Sequence, residues 1–141
     1  MPPSTPEIWR WPATAVADAV RTRQVSAAEV EAAVLDRIER ADGVVNAYAT
    51  VDRDGALAAA KAVDETIASG RDPGPLAGVP FSVKDLVVTR GVETAYGSHA
   101  FAGNVPDFDA EAVARLRRAG AVLVGKSNTP EFGHKALTNS P

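Results

Sequence analysis

The amino-acid sequence predicts an α/β protein with a mixed, largely parallel sheet. Segments of helical periodicity alternate with short apolar segments, which is the order typical of this class. One of them, Val122–Leu123–Val124, is wholly apolar, as expected of a strand buried on both faces of a sheet. The chain has 141 residues, 45% hydrophobic and 23% charged, a length and balance that suit one globular unit.

Two helices are predicted before the first strand. A short helix spans about residues 13–22, and a longer one begins at Ser26. Ser26 and Glu29 form an S-x-x-E capping box, in which each side chain satisfies a backbone N–H that the helix leaves free. Behind this cap, Val30, Val34 and Ile38 recur at helical spacing.

The middle of the chain predicts a strand, a helix and a second strand. Residues 44–51 lie between Gly43 and the charged Asp52–Arg53–Asp54, so we expect a strand there. Residues 54–69 are rich in alanine and predict a helix that ends at Gly70. After a turn-forming cluster at residues 71–75, the next strand falls within residues 79–88.

The last third of the chain predicts two further helices around the apolar strand. We expect Asp109 to be the N-cap of a helix that runs to Ala119 and stops at Gly120. Thr129–Pro130–Glu131 predicts another helix start, with proline at its first position. The few strands and the turn-like residues 138–141 lead us to expect an incomplete domain. Its helical lead-in would span about residues 1–43, and about residues 44–141 would form the first part of its α/β core.

Composition excludes several kinds of site. A net charge of −3 argues against a nucleic-acid partner, and the absence of cysteine excludes thiolate chemistry. His99 and His134 are too far apart for a helical metal pair, so we expect no metal and no cofactor. The sequence shows neither a secretory signal nor a membrane-spanning run, so no membrane partner is expected, and a cytoplasmic location is the default expectation.

The segment of chemical interest is PLAGVPFSVKDLVV, residues 75–88, which places Lys84 inside a predicted strand. Such a lysine most often protects a sheet edge or extends its ammonium to water. The alternative is a buried lysine whose pKa falls from about 10.4 to about 7–8, so that the neutral amine acts as a base. Side-chain alternation places Ser82 on the face of Lys84 and Asp85 on the opposite face.

Two blocks, in order, resemble the amidase signature family. PLAGVPFSVKDLVVTRGVETAYGS, residues 75–98, is similar to the region around that family's catalytic lysine. DAEAVARLRRAGAVLVGKSNTPEFG, residues 109–133, is similar to its RLR-AGA-GK-N-PEF region. The resemblance implies an α/β/α sandwich, of which this chain would be the amino-terminal portion. It also implies a Ser–cis-Ser–Lys triad, with Lys84 as the general base.

The same resemblance places both catalytic serines in a glycine- and serine-rich stretch beyond Pro141. Ser98, Ser127 and Ser140 stand in a different context and are assigned no role. We therefore expect the 141 residues alone to be inactive. The implied partner of the whole enzyme is a small-molecule amide, and a homodimer is compatible with the family. The glutaminase component of a tRNA amidotransferase, which would need partner subunits, is the alternative within that family.

A motif of a different class overlaps the second block. GAVLVGKS, residues 120–127, fits the phosphate-loop pattern G-x-x-x-x-G-K-[ST]. A phosphate loop needs a strand before its first glycine, whereas here a helix precedes Gly120 and residues 121–124 form the predicted strand. Phosphate binding through Gly125, Lys126 and Ser127 is therefore disfavoured, and Lys126 and Ser127 are expected simply to end the strand. A non-catalytic interaction domain is a third hypothesis.

Overall fold

The computed structural model describes residues 7–138 and bears out the α/β class. Residues 1–6 and 139–141, and with them Ser140 and the end of the predicted terminal turn, lie outside this part. Within it are α1 Ala13–Arg21, α2 Ala27–Val45, β1 Tyr48–Val51, α3 Arg53–Ala68, β2 Pro80–Lys84, α4 Glu111–Arg118 and β3 Val122–Ser127. Short 3-10 turns occupy Ile8–Arg10, His99–Phe101 and Glu131–Gly133. No helix between residues 7 and 138 is both long enough and apolar enough to cross a membrane.

The sheet has three strands in the order β1-β3-β2. β2 and β3 are parallel, and the connection between them contains α4, as a parallel pair requires. β1 runs antiparallel to β3, so the sheet is mixed, with one pairing of each kind. In the parallel pair, Lys84 lies opposite Ser127.

The main core lies between the first three helices and β3. Small residues allow α2 and α3 to approach closely. Ala27, Ala56 and Ala60 have no exposed surface. The Asp64 carboxylate of α3 accepts hydrogen bonds from two backbone N–H groups in the first turn of α2, at 2.7 and 3.1 Å. The core cluster comprises Ile8, Val16, Val20, Ala27, Val30, Leu35, Ala56, Ala60, Ile67, Ala77, Val122 and Val124.

Helix α2 begins as predicted but ends later. The capping box of Ser26 and Glu29 is present, with both reciprocal hydrogen bonds. The predicted strand at residues 44–51 is wrong for its first half, because the helix continues to Val45 and the strand begins only at Tyr48. Asn46 ends the helix in the left-handed conformation, and the Asp42 carboxylate accepts the backbone N–H groups of Ala47 and Tyr48.

Asp109 does not cap α4. The helix follows Ala110, and no side chain caps its first turn. The Asp109 carboxylate instead accepts the backbone N–H of Arg90 at 2.8 Å and lies 3.6 Å from the guanidinium of Arg117. A residue distant in sequence therefore binds the carboxylate that local capping rules assign to the helix.

The helix predicted after Pro130 is also wrong. Only a single 3-10 turn forms at Glu131–Gly133, and Phe132 has a positive φ of 49° inside it. The Glu131 carboxylate, predicted to lie in a first helical turn, accepts a hydrogen bond from the hydroxyl of Ser98 at 2.7 Å. This contact ties the two loops at residues 98 and 131 together.

Gly120 is expected to tolerate alanine much less well than Gly70. Both have positive φ, at 89° and 74°, but a Cβ on Gly120 would meet the carbonyl oxygen of Pro73 at 2.1 Å, whereas one on Gly70 meets nothing within 4 Å. We expect Gly120→Ala to lower the free energy of unfolding by about 3 kcal/mol and Gly70→Ala by about 1 kcal/mol. Urea titration of both variants measures the difference; equal losses would show that the loop at Pro73 yields without cost.

Candidate functional site

The candidate site lies where the parallel strands β2 and β3 end. In an open sheet with parallel strands, ligands bind beyond the carboxyl ends of the strands. β2 ends at Lys84 and β3 ends at Ser127, and these two residues are opposite each other in the ladder. The edge therefore places a lysine and a serine at paired positions of the ladder.

Lys84 is the last residue of β2 and not an interior one, and its side chain is exposed. Ser82 is exposed as well, which confirms that the two share a face. Within residues 7–138, β2 is an edge strand and Lys84 is exposed, which agrees with the common role of such a lysine at a sheet edge. The shared face of Ser82 and Lys84 is therefore as predicted, and the burial of the Lys84 amine in the full-length protein stays a prediction.

Asp85 lies on the opposite side of the chain from Lys84, as alternation predicts, and is buried. Its backbone N–H donates to the carbonyl of Ser127 at 2.9 Å and so continues the ladder past the strand end. Its carboxylate accepts the backbone N–H groups of Ala95 at 3.2 Å and Gly97 at 3.4 Å. Asp85 therefore fixes the segment that returns towards the end of β2.

Lys126 lies at the end of a strand, as expected, but the prediction that it does no more than end it is wrong, because its side chain is fully buried. Its Nζ donates to the carbonyl of Val87 and to the hydroxyl of Thr94, each at 2.7 Å, and lies 3.7 Å from Asp85 Oδ1. Burial lowers the pKa of Lys126, and the Asp85 carboxylate opposes that shift. Alternation gives no signal for this burial, because all residues from 122 to 126 are buried and the pairing with β2 shifts register between Leu123 and Gly125.

This geometry contradicts the phosphate-loop alternative. Gly125, Lys126 and Ser127 lie within β3, so their backbone is engaged in the sheet and does not wrap an anion. The amine that would reach a phosphate is buried and bonded to protein groups. Gly120 has the left-handed conformation of a helix stop and precedes the strand.

Two of the other side chains considered from sequence, Ser98 and His99, line a cavity at this edge together with Asp85 and Asn128, which directly follow β2 and β3. Ser98 is buried and donates its hydroxyl to Glu131. His99 and His134 both belong to loops, the first in the turn His99–Phe101 and the second after Glu131–Gly133. Within the described 7–138 span, no three His, Cys, Asp or Glu side chains are grouped to hold a metal ion.

Comparison with known proteins gives a consistent result. Residues 29–141 match the sequence model of the family described as Amidase. A glutamyl-tRNA(Gln) amidotransferase subunit of Acidothermus cellulolyticus is 45% identical over 134 residues, which are 95% of this chain and 26% of that protein. The peptide amidase of Stenotrophomonas maltophilia superposes with a TM-score of 0.81 at 32% identity, over 87% of this chain and 26% of that one.

A bacterial aryl acylamidase of the amidase signature family superposes with a TM-score of 0.86 at 27% identity, over 91% of this chain and 27% of that one. The α/β architecture is thus shared with these solved structures. The chain spans about a quarter of the length of the relatives that it matches, 26% and 28% for two of the amidotransferase proteins.

Proposed function

The chain belongs to the amidase family, and we propose that the protein to which these residues belong hydrolyses carbon–nitrogen amide bonds. The observation that carries the proposal is the family match over residues 29–141, which contains both sequence blocks. The position of Lys84 at the carboxyl edge of two parallel strands supports it, because this is where such sheets bind their ligands.

In the proposed mechanism, Lys84 is the general base. Its neutral amine accepts a proton from a middle serine, which in turn accepts the proton of the nucleophilic serine. The serine oxygen attacks the amide carbonyl, backbone N–H groups stabilise the oxyanion, and the amine leaves with a proton. Water then attacks the ester and releases the acid. The chain contains no glycine- and serine-rich stretch, so the mechanism requires both serines from residues outside it.

The proposal sets a condition on Lys84. An ammonium in water has a pKa of about 10.4 and is a poor base near neutral pH, so the amine has to be desolvated in the working enzyme. Within the described residues its face is open, and β2 has no neighbour on its outer side. The mechanism therefore requires further chain to cover Ser82 and Lys84 in the full-length protein.

A second function within the family is favoured by one observation. The relative with 45% identity is named as part of an amidotransferase, whereas the two solved amidases are 32% and 27% identical. The full-length protein would then release ammonia from glutamine for a tRNA amidotransferase and would work with partner subunits. Both functions use the same chemistry at Lys84 and differ in the acyl group and in the fate of the ammonia.

An assay of the purified full-length protein tests the proposal. We expect it to release ammonia from a simple carboxamide without any other protein, because the proposed mechanism takes Lys84 and both serines from the same protein. Hydrolysis of glutamine alone, and only after addition of amidotransferase partner subunits, would instead establish the second function. Failure to cleave a panel of simple amides and glutamine under both conditions would overturn the assignment as an amide hydrolase.

A further inference from the structure

We propose that the buried pair of Asp85 and Lys126 holds the end of β2 in the geometry that the catalytic lysine needs, so that Lys126 is a positioning residue. The inference rests on the proposed function of Lys84. It assigns a role to a lysine that lies in the second sequence block but has no part in the proposed triad. We call the residues of this network, Asp85, Val87, Thr94 and Lys126, the strand-end clamp.

The first part of the argument is the turn that follows Lys84. The carbonyl of Lys84 accepts the backbone N–H of Val87 at 2.9 Å, which closes a turn directly after the strand. The carbonyl of Val87 then accepts a hydrogen bond from Lys126 Nζ at 2.7 Å. The backbone of Lys84 is thus linked to the buried ammonium through one residue, and a change at Nζ is transmitted to it.

The second part is the loop that the clamp holds against this turn. Lys126 reaches it through the Thr94 hydroxyl, and Asp85 reaches it through the N–H groups of Ala95 and Gly97. Between these two amides, Tyr96 has a positive φ of 56°. A left-handed residue other than glycine costs about 1–2 kcal/mol and persists only where its surroundings hold it.

The third part is that every buried polar side chain of the clamp has a hydrogen-bond partner. Thr94, Lys126 and Asp85 are at most 2% exposed, and all three have polar partners. The Thr94 hydroxyl accepts a hydrogen bond from Lys126 and donates one to the carbonyl of Val92 at 3.2 Å. A buried ion pair adds little net stability relative to apolar residues of similar size, but its hydrogen bonds specify one conformation. A role in geometry therefore explains the clamp better than a role in stability.

The test compares four variants of the full-length protein. Lys126→Met removes the ammonium, Asp85→Asn removes the charge of its partner, and the double variant restores charge balance without the ammonium's hydrogen bonds. Lys61→Met is the matched control, because Lys61 lies on α3 with its side chain 76% exposed. Each variant is measured for thermal stability, for kcat and KM with a simple amide, and for hydrogen exchange at the backbone amides of residues 95–97.

For Lys126→Met we expect exchange at residues 95–97 to accelerate at least about ten-fold, since the stability of this loop's hydrogen bonds depends on its packing. We expect kcat to fall at least about ten-fold with KM changed by less than about three-fold, because misplacing a reacting group affects the transition state more than binding. The double variant is expected to regain the melting temperature of the wild type but not its kcat. Lys61→Met is expected to match the wild type throughout.

A double variant that regains both stability and kcat would overturn the inference, since the pair would then only balance charge. Unchanged exchange and kcat in Lys126→Met would overturn it as well. If Lys126→Met does not fold, Thr94→Val removes one acceptor at nearly constant volume and is expected to change exchange and kcat in the same directions. If the wild type has no amidase activity that depends on Lys84, the proposed function fails, and the exchange measurement alone decides whether the clamp exists.

Discussion

Replacement of Lys84 by alanine in the full-length protein is expected to lower kcat for a simple amide by at least about a thousand-fold, the range found when a general base is removed. The fold should remain intact, because Lys84 lies outside the core cluster of residues 7–138 and the substitution removes an amine that the mechanism holds desolvated at a cost. A melting temperature within about 2 °C of the wild type is therefore expected. Steady-state kinetics and a thermal melt on the same sample measure both effects.

Two further substitutions separate proton transfer from charge. Lys84→Arg keeps a positive charge, but a guanidinium stays protonated in proteins, so this variant is expected to be as inactive as Lys84→Ala. Lys61→Ala removes an exposed lysine elsewhere and is expected to leave kcat unchanged. Activity retained by Lys84→Arg would show that the position supplies only charge, and activity retained by Lys84→Ala would remove it from the mechanism.

Elements with a local cause were predicted well from the sequence. The capping box fixes the start of α2 within one residue, and Gly70 follows the end of α3 in the left-handed conformation that a helix stop requires. The wholly apolar residues 122–124 lie in a buried strand, as expected. In each case the signal lies within a few residues of the feature that it specifies.

Predictions failed where distant residues compete for the same group. Asp109 has the composition of an N-cap, but the backbone of Arg90, 19 residues earlier, takes its carboxylate. Lys126 lies near the end of β3, and its partners Val87 and Thr94 are 39 and 32 residues away. The sequence contains these groups but does not state which of them meet, because that depends on the order of the strands in the sheet.

The site was predicted in part for the same reason. A resemblance marked Lys84, and strand alternation placed Ser82 and Asp85 on the correct sides of it. The environment of Lys84 depends on what packs over β2, which no local pattern specifies. The burial of Lys126 depends in the same way on distant segments, because every residue from 122 to 126 is buried and alternation does not single out the lysine.

Glu31 is the second residue for which a large effect is expected. Its side chain has no exposed surface, and neither carboxylate oxygen has a hydrogen-bond partner within residues 7–138. Burial raises its pKa to about 8. The sequence held a signal, because Glu31 lies four residues after Ala27 and four before Leu35, both buried, and therefore on the inward face of α2.

The raised pKa makes the stability of the chain depend on pH. Between about pH 4.5 and pH 8 the folded state keeps a proton on Glu31 that the unfolded state has lost, so stability falls as pH rises through this window. At about 1.36 kcal/mol per pH unit, the loss attributable to Glu31 approaches 5 kcal/mol at pH 8. Below about pH 4.5 both states are protonated, and the penalty disappears.

Glu31→Leu is therefore expected to stabilise the chain at pH 8 by up to about 5 kcal/mol, because an apolar side chain of similar size bears no ionisation penalty in the core. The gain should shrink to about 1 kcal/mol at pH 5, where the carboxyl of the folded wild type is neutral. Glu31→Gln is the matched control. It cannot ionise, so it should remove the pH dependence while keeping the cost of a buried polar group. Urea titrations of the three proteins from pH 5 to pH 8.5 measure these differences. Parallel slopes for the wild type and Glu31→Leu would mean that the Glu31 carboxylate is ionised and solvated in the folded chain, and that α2 does not bury it.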